Sequence, residues 1–213
     1  MRTEDLIARL AANLSLTEGH MVNPRLTIAL TRGLAIDALI LVALYGYASD
    51  MPEQLLQPMF WLRLAFPLML LAAALNLTER LGRPGAPLAW AWISTSLPIL
   101  AMFLVAAILH CAPGATDRLY WTPPSSAVGA CVTITLLSFP VFVLVMREVK
   151  RLLPTRLRLA GFGAGLLGGA QGLLVYGLYC TGPGAAFWSL EHLCGSLLVA
   201  LFGALIGPRY LRW

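Results

Sequence analysis

Apolar residues gather into six runs along this chain, roughly 33–49, 59–77, 87–110, 126–146, 159–179 and 186–207, with short polar linkers between them. Each run is about as long as an α-helix must be to cross the hydrocarbon core of a bilayer. The pattern predicts an all-α integral membrane protein: a bundle of six transmembrane helices over residues 33–213, preceded by a non-membrane N-terminal segment, 1–32. In the fifth run Gly161, Gly165 and Gly169 recur every four residues, as do Gly168 and Gly172; Gly203 and Gly207 repeat the spacing in the sixth. Lipid supplies no hydrophobic drive between helices, so faces of small residues that let backbones approach predict a tight bundle with the fifth span central. Pro67, Pro98 and Pro140 fall inside spans two, three and four, where kinks are expected.

Within the N-terminal segment a second, shorter pattern stands out. Leu6, Ile7, Leu10 and Leu14 fall within an arc of about 100° at helical spacing, opposed by Asp5, Arg9 and Asn13. Thr3 suits an N-cap, and Glu4 and Asp5 occupy the first turn, where the helix dipole favours acids. Pro24 is expected to stop this helix before the first span. The stripe reads equally as a helix lying in the membrane interface and as a docking face for a cytoplasmic partner.

Charge fixes the predicted orientation. With 59% hydrophobic and 12% charged residues and a mean hydropathy of +0.77, the composition excludes an ordinary soluble domain, in which about a quarter of residues are charged. Thirteen of the fifteen Lys and Arg residues lie in linkers on one side of the predicted membrane; only Arg63 and Arg118 lie elsewhere. The positive-inside rule then puts both termini in the cytoplasm. The net charge of +5 is accounted for by these inner linkers, so it points to the anionic inner leaflet of the lipid bilayer, with no direct nucleic-acid contact. The start of the chain lacks the short apolar core of a removable signal peptide.

Polar residues inside the spans are few. Asp37 lies near the inner end of span one and Arg63 near the outer end of span two, each about 6 Å deep at 1.5 Å per residue, which predicts snorkelling or an interface contact for both. Gln171, in mid-span five, is expected to hydrogen-bond a neighbouring helix. No group of ionisable residues falls near the midplane, which argues against a small transporter.

All four cysteines belong to the face opposite the basic linkers: Cys111 and Cys180 close spans three and five, while Cys131 and Cys194 lie just inside spans four and six. Thiols facing outward meet an oxidising compartment where disulfides are possible. Cys131 with Cys180, or Cys111 with Cys194, are at bridgeable depths, but depth alone leaves all three pairings open. His110-Cys111 and Glu191-His192-x-Cys194 also set His110 and His192 beside thiols as candidate soft-metal ligands. Neither is a tight metal motif, and no cofactor is expected. A membrane thiol–disulfide oxidoreductase is the enzymatic alternative, but the chain has no Cys-x-x-Cys pair for fast exchange.

Longer stretches carry a resemblance. The ending Gly207-Pro208-Arg209-Tyr210-Leu211-Arg212-Trp213, the passage from Leu153-Pro154 through the glycines to Tyr176-Gly177-Leu178-Tyr179-Cys180, Cys131 with Ser138-Phe139-Pro140, and Leu6-Ile7-Ala8-Arg9-Leu10 are together similar to the negative-regulator-of-sigma-F (NrsF) proteins. These are six-span proteobacterial membrane anti-sigma factors. The resemblance implies a non-enzymatic regulator in the bacterial inner membrane. It would hold an extracytoplasmic-function sigma factor away from RNA polymerase and release it under oxidant or heavy-metal stress. The family's two outward cysteines carry over to Cys131 and Cys180; Cys111, Cys194, His110 and His192 lie outside its pattern. The Leu6, Ile7, Leu10, Leu14 stripe is the expected sigma-factor docking face.

Overall fold

A computed structural model of the protein describes residues 24–46, 53, 55–83, 85–111, 124–179 and 190–212. Six long helices carry the fold: α1 (Pro24–Tyr45), α2 (Pro58–Leu81), α3 (Ala89–Cys111), α4 (Pro124–Arg151), α5 (Leu157–Tyr179) and α6 (Leu190–Tyr210). No strand occurs among the described residues. Five of the six are long and apolar enough to cross a membrane; in α3 the described apolar stretch is Ala89–Val105. The outer surface is itself apolar, with Leu39, Trp90 and Leu205 each 71% exposed. Such a surface in water would be an aggregation hazard, and it suits lipid.

The first helix departs from expectation. It begins at Pro24, nine residues before the predicted span at 33, and ends at Tyr45. Proline fits a first helical position because its fixed φ is already helical and its missing N–H would have had no intrahelical acceptor. The charged residues Arg25 and Arg32 moved the apparent boundary toward the chain's interior, yet Leu26, Ala29, Gly33, Asp37 and Leu41 form one buried stripe at helical spacing.

Helix α5 occupies the middle, as its glycines predict: fifteen of its residues are buried. One glycine face meets α6. A methyl carbon at Gly161 would strike the Gly203 carbonyl oxygen, and one at Gly169 would lie 2.7 Å from the carbonyl oxygen of Ser196. The second face meets α4, where a methyl at Gly168 would lie 3.0 Å from the Phe142 amide nitrogen. Gly163 turns to α2, 3.1 Å in the same sense from Thr78 Oγ1. With backbones this close, dispersion contacts substitute for the hydrophobic effect that lipid withholds. Around α5 the core is filled by Leu77, Val141, Val145, Leu167 and Ala200. Pro67, Pro98 and Pro140 lie inside α2, α3 and α4 as predicted.

Asp37 corrects the sequence reading. It does not snorkel: it is fully buried, the fourteenth of the 22 residues of α1. The Gln171 side-chain amide of α5 donates to its Oδ2 at 3.4 Å and to the Leu30 carbonyl at 3.1 Å. Because α1 starts at Pro24, Asp37 sits mid-helix, where no aqueous boundary is within reach of a short side chain. An ionisable group therefore does lie near the middle of the bundle. Gln171 bonds a neighbouring helix as expected.

Candidate functional site

The ends of α1 and α5 and the starts of α4 and α6 meet at one end of the bundle, and this is where the described cysteines lie. Cys131 follows the first two turns of α4, and Cys194 is the fifth residue of α6. The two thiols are neighbours across the α4–α6 seam. Cys131 is half-buried and Cys194 exposed, and neither is in a disulfide. Gly195 makes the approach possible: a methyl there would lie 3.0 Å from the Cys131 carbonyl oxygen. Thr135, one turn beyond Cys131 on the same face, donates to the Cys131 carbonyl at 2.8 Å and reaches the Gly195 carbonyl at 3.5 Å. Glycine and threonine together lock α4 against α6 at the level of the two sulfurs.

The neighbouring face of α4 is tied to α1 and α5. Tyr45 and Thr133 share a hydrogen bond of 2.8 Å between their hydroxyls. Tyr179 Oη donates to the Tyr45 carbonyl at 2.8 Å, and the two tyrosine rings lie 4.9 Å apart. On α6 the His192 ring is buried and packs on Tyr176 at 5.6 Å. His192 therefore turns toward α5, while Cys194, two residues on, turns toward α4.

Other predicted site residues are placed only in part. Cys180 follows Tyr179 directly and lies outside the described residues, as do Leu6, Ile7, Leu10 and Leu14. His110 and Cys111 end α3, and only their backbone is described. Among the described residues no three His, Cys, Asp or Glu side chains form a metal-binding group. The polar clasp of Tyr45, Thr133, Thr135 and Tyr179 was missed by the sequence reading. Its signal was there, as two threonines within an apolar span and a tyrosine at the end of each of two others.

The opposite end is basic. Arg80 bonds Asn76 at 2.7 Å and the Pro87 carbonyl at 3.0 Å, closing the turn between α2 and α3. Lys150 stands 4.9 Å over the Tyr210 ring, joining the end of α4 to the end of α6. Leu153 takes a left-handed conformation, φ 52°, in the turn between α4 and α5.

An all-helical bundle clad in apolar side chains, with a basic end and a thiol-bearing end, is compatible with the class of helical membrane proteins. Comparison with known proteins is more specific. Residues 10–213 match the family described as negative regulator of sigma F, and the chain belongs to that family. It is 39% identical to a probable anti-sigma-F factor of Azospira oryzae and 32% identical to an anti-sigma-F factor of Caulobacter vibrioides, each alignment covering the whole of both chains. No solved structure matches it.

Proposed function

We propose that this protein is a membrane anti-sigma factor. It holds an extracytoplasmic-function sigma factor at the cytoplasmic face of the bacterial inner membrane and releases it when thiols on the far side are oxidised or take up a soft metal. The observation that carries this reading is the full-length relationship to two anti-sigma-F factors. The stripe of Leu6, Ile7, Leu10 and Leu14 is the docking face, and Cys131 and Cys180 are the sensing cysteines. The protein acts by binding and release, without catalysis.

Two features of the fold support a route between the faces. The chain leaving the docking stripe enters α1 at Pro24, and the far end of α1 is held by the Tyr45 clasp to the helices that carry Cys131 and lead into Cys180. Cys194, which neighbours Cys131 across the α4–α6 seam, is the rival partner for a disulfide or soft-cation bridge.

Affinity purification of the tagged full-length chain from solubilised membranes tests the reading. A sigma factor should be recovered under reducing conditions, and less of it after diamide or cadmium treatment. A preparation that inserts in membranes but brings down no sigma factor overturns it.

A further inference from the structure

At the basic end, α1 and α4 do not close completely. A cleft of about 330 Å³ opens between them, and Arg25 and Arg32 of α1 line it together with Arg147 and Arg151 of α4. Seven residues separate the first two and four the second two, so each pair stands on one helix face about one or two turns apart. Among the described residues Glu148 is the sole acid lining the cleft, and it already pairs with Arg151 at 3.2 Å. Among the described residues Arg32 and Arg147 have no ion pair. Arg32 and Arg147 face the same cleft from two helices, and an anion between them would offset their mutual repulsion.

The floor of the cleft is apolar, made of Ile28, Ala29 and Leu144. Ile28 is 48% exposed. Both helices continue from here into stretches apolar enough to cross a membrane. The cleft therefore sets basic side chains beside the apolar Ile28, Ala29 and Leu144 on two apolar helices, and an occupant that fits is anionic at one end and hydrocarbon at the other. An acidic peptide from water would meet the arginines but leave Ile28 and Leu144 against polar groups.

We propose that this cleft binds an anionic phospholipid, with its phosphodiester among Arg25, Arg32, Arg147 and Arg151 and its acyl chains along Ile28 and Leu144. Guanidinium groups pair with phosphate oxygens through two parallel N–H bonds, which gives the cleft a preference beyond simple attraction to a negative surface. The positive-inside tendency explains why basic residues lie at this end. It does not explain why four of them face one cleft from two helices. The inference rests on the membrane reading above, and resistance of the protein to carbonate extraction from membranes reports that reading separately.

The test is native mass spectrometry of the full-length protein in detergent, titrated with phosphatidylglycerol and, in parallel, with phosphatidylcholine. The parent should retain phosphatidylglycerol in preference, and sn-glycerol 3-phosphate should not displace it. The double variant R32Q/R147Q should bind phosphatidylglycerol about thirtyfold more weakly, taking about 1 kcal/mol for each arginine near an anionic headgroup. A control double variant, R158Q/R209Q, removes the same charge from the same end of the bundle outside the cleft, and should bind as the parent does. Unchanged helicity by circular dichroism keeps the comparison one of binding. Equal losses in both double variants, no preference over phosphatidylcholine, or displacement by glycerol phosphate would each overturn the proposal. So would R32Q/R147Q releasing a co-purified sigma factor while keeping its lipid, which would make the cleft a protein-docking surface.

Discussion

Gly161 of α5 and Gly203 of α6 face each other so closely that a β-carbon on either would collide with the other's backbone carbonyl. The contact is between main chains, which cannot rotate away as a side chain would. Gly161→Leu should therefore lower stability by at least the about 1–3 kcal/mol typical of an overpacked core, read as a shifted midpoint in SDS or thermal unfolding. Gly129, with nothing within 4 Å of its would-be β-carbon, is the contrast. Gly129→Ala should leave the midpoint unchanged or raise it, since alanine is the better helix former by about 1 kcal/mol. Equal destabilisation by both changes would contradict the packing described.

Gln171 fastens α1 to α5 through Leu30 and Asp37. Asp37 Oδ1 is already buried without a hydrogen-bond partner, so Gln171→Leu would strip the carboxyl group of its remaining bond. A buried polar group left unsatisfied costs about 1–3 kcal/mol. The double change Asp37→Leu/Gln171→Leu removes both members and should be less harmful than the sum of the single changes. A double-mutant cycle on unfolding midpoints measures this, and strict additivity would show that the two side chains do not act together.

The sensing reading predicts that Cys131→Ser and Cys180→Ser each abolish induction of sigma-dependent transcription by oxidant or soft metal while repression persists. Cys194→Ser and Cys111→Ser should have weaker effects. A disulfide is typically worth about 2–4 kcal/mol, and moving an equilibrium from 1:99 to 99:1 takes about 5.5 kcal/mol. Induction should accordingly rise in a graded way with oxidant dose. A Cys194→Ser variant as silent as Cys131→Ser, alongside a normal Cys180→Ser variant, would transfer the role to Cys194, the thiol neighbouring Cys131.

Leu6→Asp/Leu10→Asp should release the sigma factor constitutively while the bundle stays in place, because both residues precede the apolar runs of the sequence. Reporter transcription together with immunoblotting of the protein checks this. Full repression at normal protein levels would assign the stripe to the membrane surface alone.

Much of the fold could be read from spacing. The four-residue glycine repeats of α5 carried its central place, because small residues mark where backbones touch. The start of α1 was harder. Hydropathy averages over all faces, so Arg25 and Arg32 masked a stripe at Leu26, Ala29 and Gly33 that is buried on one side only. The misplaced boundary then misplaced Asp37, whose depth had been counted from residue 33. The two described cysteines, Cys131 and Cys194, lie near the starts of α4 and α6. The sequence could not choose partners, because whether Cys131 neighbours Cys194 depends on how α4 and α6 are rotated about their own axes. Gly195 and Thr135 set that rotation, and periodicity within one helix says nothing about it.

The glycine-lined centre has a consequence for how the chain is made. Of the five stretches suited to crossing a membrane, α5 is the least hydropathic, at 1.3, and the most enclosed, with 78% of its apolar window buried. Alone in a bilayer, a segment of this kind would gain little from lipid and would expose a bare backbone groove on two sides. Its partners are synthesised on either side of it, with α4 already complete and α6 next in line. On the membrane reading proposed above, nascent α5 would enter the bilayer as a weak guest, secured only when α6 arrives. A truncation that halts translation before residue 190 would leave it in that insecure state, with the Gly161, Gly165 and Gly169 face that α6 covers laid bare.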